Sequence, residues 1–264
     1  MGTAIKLGRR PREYNPAVPH MSALMAGRMA IPALPTKVDW TAGMPADLGE
    51  MLNNIYGNCT CAAFYHARQV WSFNSIGTVL TEPDSDVLKL YELACGYNPA
   101  EGGEGPGGIE QNVLTYLLKT GAPLGPMGDM VDQIAAFVEV DPRNLDDVKR
   151  TIQDCGVAYI GFEVPNYLMA NGVPDVWELQ PEADQSIAGG HAVVLAGYDD
   201  SIQSFKVISW GRTFLMPYSF FQAFTEEVYA ICDVAWFNSK ETTPAGIPIG
   251  ALEAQMQTLR DQAV

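Results

Sequence analysis

Two short segments carry the residue types of thiol-based nucleophilic chemistry. The first, Asn58-Cys59-Thr60-Cys61-Ala62-Ala63-Phe64, brings a cysteine pair to the head of a helical pattern. A thiol in the first turn of a helix faces the positive end of the macrodipole and unpaired backbone N–H groups. Both favour the thiolate, which is the attacking species. The second segment, Gly189-Gly190-His191-Ala192-Val193-Val194, sets a histidine at the mouth of a strand behind two glycines. Attack by sulfur on a carbonyl needs an imidazole at hand, first to take the thiol proton and then to protonate the leaving group.

The two segments belong to different kinds of element. Helical periodicity runs from Asn58 to about Asn74, over Asp84–Cys95 and over 107–121, where Gly121 is the stop. Leu145–Asp154 reads as a fourth helix, capped by Asn144 and ended by Gly156. Runs rich in β-branched and aromatic residues follow at 157–164, 191–198, 204–210, 213–218 and 227–237. Asp199-Asp200-Ser201 turns 191–210 into a hairpin, and 249–264 reads as a short amphipathic helix. The expectation is an α+β fold: an extended arm 1–36, a helical lobe 37–125, a β-rich lobe 126–244 and a helical tail 245–264. The glycine- and glutamate-rich loop 101–108 is expected at a mobile rim of a cleft.

Composition narrows the function. The 264 residues, 47% hydrophobic and 18% charged, suit a globular chain. A net charge of −15 disfavours general binding to nucleic acid. No apolar run reaches the ~20 residues needed to span a bilayer, and the first residues lack the apolar core of a secretory signal. Five cysteines, two of them only two apart, do not suggest a disulfide framework; reduced thiols and a non-secreted, cytoplasmic protein are expected. Cys59, Cys61 and His66 could suggest zinc, but none is expected there, because a helix points Cys59 and Cys61 in opposite directions and no fourth ligand stands out. His66 reads as a core histidine and His20 as a surface one, and no metal or cofactor is called for. Residues 1–28 carry Lys6, Arg9, Arg10, Arg12 and Arg28 against Glu13 alone. Pro11, Pro16 and Pro19 keep this basic arm extended, and either the acidic body of the chain or a neighbouring subunit would hold it.

Taken in order, these motifs resemble the papain-like cysteine peptidases over most of the chain after the arm. Val38-Asp39-Trp40 resembles the mature start of that family, and Gly57–Phe64 its nucleophile helix. Pro106-Gly107-Gly108 resembles the glycine pair that lines the cleft and pairs with substrate backbone. GGHAVVLAGYDD (189–200) is similar to the histidine strand, and Ser209-Trp210-Gly211 to the tripeptide after the third catalytic residue. The resemblance implies a two-lobe fold with the cleft between the lobes, a Cys-His pair, and Gly107, Gly108 and Trp210 along the substrate path. Matching Cys-Ala-Ala-Phe to the family's nucleophile motif favours Cys61. The family also places a side-chain amide six residues before its nucleophile. Asn53 stands six before Cys59, whereas Ile55 stands six before Cys61 and cannot donate. The expected site is therefore Cys59, His191 and Asn53, with Cys61 a packed thiol.

Two departures accompany these matches. The family's asparagine that orients the imidazole is replaced by Ile208, which strand alternation would put on the same face as Trp210. The inhibitory propeptide of secreted relatives is missing, with only the short arm ahead of Val38. On these departures the chain resembles the compact, non-secreted papain-like proteins of bacterial and bacteriophage genomes. One reading is a cysteine hydrolase of peptide, isopeptide or amide bonds with weak or lost activity, acting on a peptide or protein substrate. The alternative is a catalytically idle papain-like fold serving as a structural or binding component of a bacteriophage particle, in the capsid or tail. On that reading it is located in the virion and touches protein neighbours through the arm. A third reading makes Cys59 and His191 packing residues of an unrelated α+β domain.

Overall fold

In chain order the protein runs α1 (Met21–Met25), β1 (Lys37–Asp39), α2 (Cys59–Ile76), α3 (Asp84–Cys95) and α4 (Glu110–Lys119). A short ribbon of β2 (Ala122–Leu124) and β3 (Met130–Asp132) leads to β4 (Ala136–Val140), α5 (Leu145–Cys155), β5 (Ala158–Pro165) and α6 (Asn166–Met169). The chain continues through β6 (Ile187–Asp199), β7 (Ser204–Ser209), β8 (Arg212–Pro217), α7 (Tyr218–Phe224) and β9 (Thr225–Cys232). The computed structural model describes residues 5–25, 33–125, 130–233, 236, 256–257 and 259–261. Most of the tail expected at 245–264 lies outside them; Met256 and Leu259 are helical and buried.

The helix boundaries follow local signals. α2 and α3 each stop at a glycine in the left-handed region, Gly77 and Gly96. The Asn144 side chain accepts the Asp147 N–H at the start of α5, and Gly156 ends it. β4 carries none of the alternation that marks a half-exposed strand, because all five of its residues are buried.

Seven strands form one antiparallel sheet in the order β4-β9-β5-β6-β7-β8, with β1 paired to the far end of β6. The expected hairpin is β6 and β7, paired from Val194 opposite Ile208 to Asp199 opposite Ser204. Helix α2 packs across β6 and β7, and this sets its first turn beside the middle of the sheet. Buried polar contacts fix that approach. Tyr159 on β5 donates to the Thr60 carbonyl at 2.8 Å, and Trp71 Nε1 donates to the Cys155 carbonyl at 2.7 Å. Aromatic and aliphatic side chains of both halves merge in one core. Among the described residues no helix is long and apolar enough to cross a membrane.

Candidate active site

The helix side of the site begins with a loop that two asparagines hold together. Met51 and Leu52 have φ of 52° and 61°, and the chain turns there toward α2. Asn58 donates to the Met51 carbonyl at 2.9 Å. Asn53 spends its amide hydrogens on the Tyr56 carbonyl at 3.1 Å and on Asn58 Oδ1 at 3.2 Å. The expected oxyanion donor is thus only 2% exposed and turned into the loop rather than into the cleft. A side-chain amide six residues before a cysteine identifies a position, but not which way its hydrogens point.

Cys59 is the first residue of α2 and is 1% exposed. Its Sγ lies against two backbone amides, those of Ala192 and Gly8. Ala192 directly follows His191, so the strand that carries the imidazole runs past the sulfur. Cys61 points away, fully buried, with its Sγ 3.9 Å from that of Cys95. His66, further along α2, is buried against Gln69 Oε1 at 2.8 Å, as a core histidine should be.

On the sheet side, His191 sits opposite Phe162 in the β5–β6 ladder. Its ring stacks on Trp210 with centroids 4.2 Å apart and 10° between planes. Its Nε2 lies 2.7 Å from Ser209 Oγ, and Nδ1 is buried without a hydrogen-bond partner. Here the sequence expectation needs correcting, because Ile208 does not occupy the orienting position. Ile208 pairs with Val194, and in a pleated strand this turns Ser209 toward the face of Val193 and His191. The strand geometry then breaks at Trp210, whose φ of 45° is left-handed and swings the indole onto the imidazole. Ser209 therefore fills the place for which no polar group was expected. The Ser-Trp-Gly tripeptide contained the signal, one residue later than the family's pattern placed it.

The arm lies in the cleft. Gly8 and Arg9 donate backbone N–H groups to the Gly190 carbonyl at 3.2 and 3.0 Å. Gly108 donates to the Gly8 carbonyl at 2.8 Å and accepts from Arg10 N–H at 2.8 Å, the backbone pairing expected of it toward a substrate. Gly107, with its N–H bonded to Tyr91 Oη at 2.8 Å, lines the same groove. Trp210 Nε1 donates to the Lys6 carbonyl at 3.4 Å. The approach is so close at Gly8 that a Cβ there would lie 2.0 Å from the Gly57 carbonyl oxygen. Lys6 pairs with Glu104 of the 101–108 loop, and Arg12 with Glu139. The body of the same chain thus provides the anchor that the sequence left open between body and neighbour.

Covering the cleft changes its chemistry. Burial pushes the Cys59 thiol up to about 12, although the Ala192 and Gly8 amides oppose the shift. Burial also holds the His191 imidazole down to about 3. The thiolate expected from the helix position is therefore suppressed, since desolvation by burial outweighs the helix terminus and the two amides. With the arm in place, both groups are neutral.

These features can be set beside known proteins. No family model matches the chain, and no curated protein matches it in sequence. Solved structures do. Xylellain, a cysteine protease from Xylella fastidiosa, superposes with a TM-score of 0.64 at 20% identity, over 89% of this chain and 98% of that one. The fold is papain-like. Procathepsin B from Trypanosoma congolense gives 0.56 at 13% identity, over 86% of both chains. A cysteine protease from Carica candamarcensis gives 0.53 at 15%, over 76% of this chain and 99% of that one. The papain-like fold explains the arrangement of the elements: a helix headed by Cys59 against a sheet whose long strand carries His191.

Proposed function

We propose that this protein is a cysteine hydrolase of peptide, isopeptide or amide bonds, held latent by its own N-terminal arm. One observation carries the reading: the imidazole of His191 is clamped by Ser209 and Trp210 with Nδ1 left unpaired, on the strand whose next amide touches Cys59 Sγ. With the Nε2 hydrogen donated to Ser209, Nδ1 is the basic nitrogen. Once the arm withdraws, Nδ1 takes the Cys59 proton and the sulfur attacks the carbonyl carbon. The Cys59 N–H, free at the head of α2, faces the developing oxyanion. Collapse breaks the C–N bond as the imidazolium protonates the leaving amine, and water then hydrolyses the thioester.

Gly8→Leu in the full chain is expected to displace the arm, because a Cβ there would lie 2.0 Å from the Gly57 carbonyl oxygen. This variant is expected to cleave an unfolded protein substrate such as casein faster than the wild type, and Cys59→Ala in the same background is expected to cleave none. Cleavage that survives Cys59→Ala, or no cleavage by Gly8→Leu, overturns the proposal. The second outcome favours the catalytically idle reading, to which the inward-turned Asn53 amide and the filled cleft also lend support.

A further inference from the structure

Two thiols that the proposed hydrolysis leaves unused face each other behind the cleft wall. Cys61 lies in the first turn of α2, and Cys95 is the last residue of α3. Their Sγ atoms are 3.9 Å apart. Thr60 Oγ1 lies 3.9 Å from the Cys95 sulfur as a second hydrogen-bonding neighbour. Gly108 backs onto the same spot, since a Cβ there would lie 3.0 Å from Cys95 Sγ and 2.2 Å from Thr60 Oγ1. Cys59, Cys61, Cys155 and Cys232 are buried, whereas Cys95 is partly exposed. Cys155 and Cys232 are also neighbours, but neither is open to solvent.

We infer that Cys61 and Cys95 form a reversible thiol–disulfide couple, with Cys95 the thiol that a peroxide oxidises first. Oxidation of a thiol follows its thiolate character and its exposure. Exposure sets Cys95 apart from the other four cysteines. The hydrogen bond with Cys61 holds the Cys95 thiol below its usual range against burial, and Thr60 and the Arg10 charge add to the effect. Burial pushes the Cys61 thiol well up, so the proton shared by the pair rests on Cys61. The Cys95 sulfur attacks one peroxide oxygen: the S–O bond forms, the O–O bond breaks, and the departing hydroxide takes the proton lost by Cys95 to become water. The Cys61 sulfur then attacks the sulfenic sulfur. The S–S bond forms, the S–O bond breaks, and the second hydroxide leaves as water with the Cys61 proton. Two thiols are oxidised to one disulfide while one peroxide is reduced to two waters. The new bond, about 2.0 Å long, ties the head of α2 to the start of the loop that carries Gly108 to the arm. Neither Cys59 nor His191 takes part, so the couple stands apart from the hydrolase reading.

The test treats the reduced, full-length wild-type chain with hydrogen peroxide under native conditions. Free thiols are then blocked with N-ethylmaleimide in denaturant, and the peptides are mapped by mass spectrometry without reduction. The linked Cys61–Cys95 peptide is expected to accumulate at least tenfold faster than a linked Cys155–Cys232 peptide and to disappear with dithiothreitol. Absence of the Cys61–Cys95 link, or formation no faster than that of the buried pair, overturns the inference. Cys61→Ala identifies the thiol that reacts first: dimedone is expected to trap a sulfenic acid at Cys95, and trapping at Cys59 instead overturns the assignment. Cys59→Ala separates the two proposals. It is expected to form the Cys61–Cys95 bond within threefold of the wild-type rate. A larger fall would make Cys59 the first thiol oxidised, which overturns the inference and leaves the hydrolase standing. An unchanged couple in a chain that cleaves nothing after Gly8→Leu does the reverse.

Discussion

The sheet wall of the cleft holds its imidazole with groups of the sheet itself, whereas the helix wall presents its sulfur to a segment from elsewhere in the chain. Ser209 and Trp210 adjoin His191 through the β6–β7 pairing, and the arm touches this wall only at the Trp210 indole and the Gly190 carbonyl beside them. Cys59 instead meets the Gly8 amide, and Asn53 is turned into its own loop. On the proposed hydrolase reading, the imidazole is positioned in advance by the sheet, and the surroundings of the sulfur are set by what lies in the cleft.

The largest expected effect tests that asymmetry. Iodoacetamide at pH 7 is expected to label Cys59 at least about 100-fold faster in Gly8→Leu than in the wild type, because a thiol restored to solvent regains its thiolate. Cys61, Cys155 and Cys232 are buried independently of the arm and should stay slow. Mass spectrometry of the labelled peptides reads each site. Equal labelling of Cys59 in both proteins would show that the arm does not control the helix wall.

Next in size is the sheet wall's own clamp. In the arm-displaced chain, Ser209→Ala should lower kcat by roughly 10–100-fold with little change in KM, the scale expected when a catalytic base loses its orienting partner. Ser209→Asn should recover part of that loss. Ile208→Asn should recover nothing, and it should destabilise the fold, because it buries an amide on the opposite face among apolar side chains. Rescue by Ile208→Asn would mean that the ladder register is other than Val194 opposite Ile208.

These variants also mark how much was legible in the sequence. Cys59 and Gly108 were readable in position because each depends on its place along one element, a helix start and a glycine pair, whereas His191, expected at the mouth of a strand, lies inside β6 opposite Phe162. Ser209 was missed because its direction depends on pairing with a second strand and on the left-handed turn at Trp210, and neither is written in a local pattern. Asn53 was readable as a position and not as an orientation, since its partners are two nearby loop groups. The role of the arm was hidden for a related reason. Its charge and prolines announced an extended basic segment, but the partners of Arg9 are 101 and 218 residues away. β4 was overlooked because a fully buried five-residue strand carries no periodic signal.

A pH titration of stability sharpens the comparison further. His191 is held down to about 3 and His66 to about 4, both by burial. The unfolded state therefore binds protons that the native state refuses once the pH falls below an ordinary histidine's value of about 6.5. The stability tied to these neutral rings is complete above that value and lost progressively as pH falls toward 3. Each ring contributes a slope of up to about 1.4 kcal/mol per pH unit. Urea melts between pH 7 and 4.5 should show His66→Gln flatter than the wild type by about one proton. In Gly8→Leu the contribution of His191 should shrink, because its ring regains solvent, while that of His66 should stay. If both contributions persist unchanged, the arm is not what desolvates the sheet wall.

The smallest expected effect concerns Asn53, the residue on which the two walls differ most. As a brace it bonds the Tyr56 carbonyl and Asn58 Oδ1, so Asn53→Ala should cost the wild-type chain about 1 kcal/mol in urea unfolding. As an oxyanion donor it would act only after the arm leaves, by turning its amide outward. The two roles separate in Gly8→Leu. A donor's loss lowers kcat there while KM holds, and it leaves the labelling rate of Cys59 unchanged, because labelling forms no oxyanion. A brace's loss shifts the head of α2 and changes labelling and cleavage together. A fall in kcat with constant labelling would therefore assign Asn53 to the chemistry despite its inward turn, and it would confirm that the helix wall, unlike the sheet wall, is assembled only when the cleft is opened.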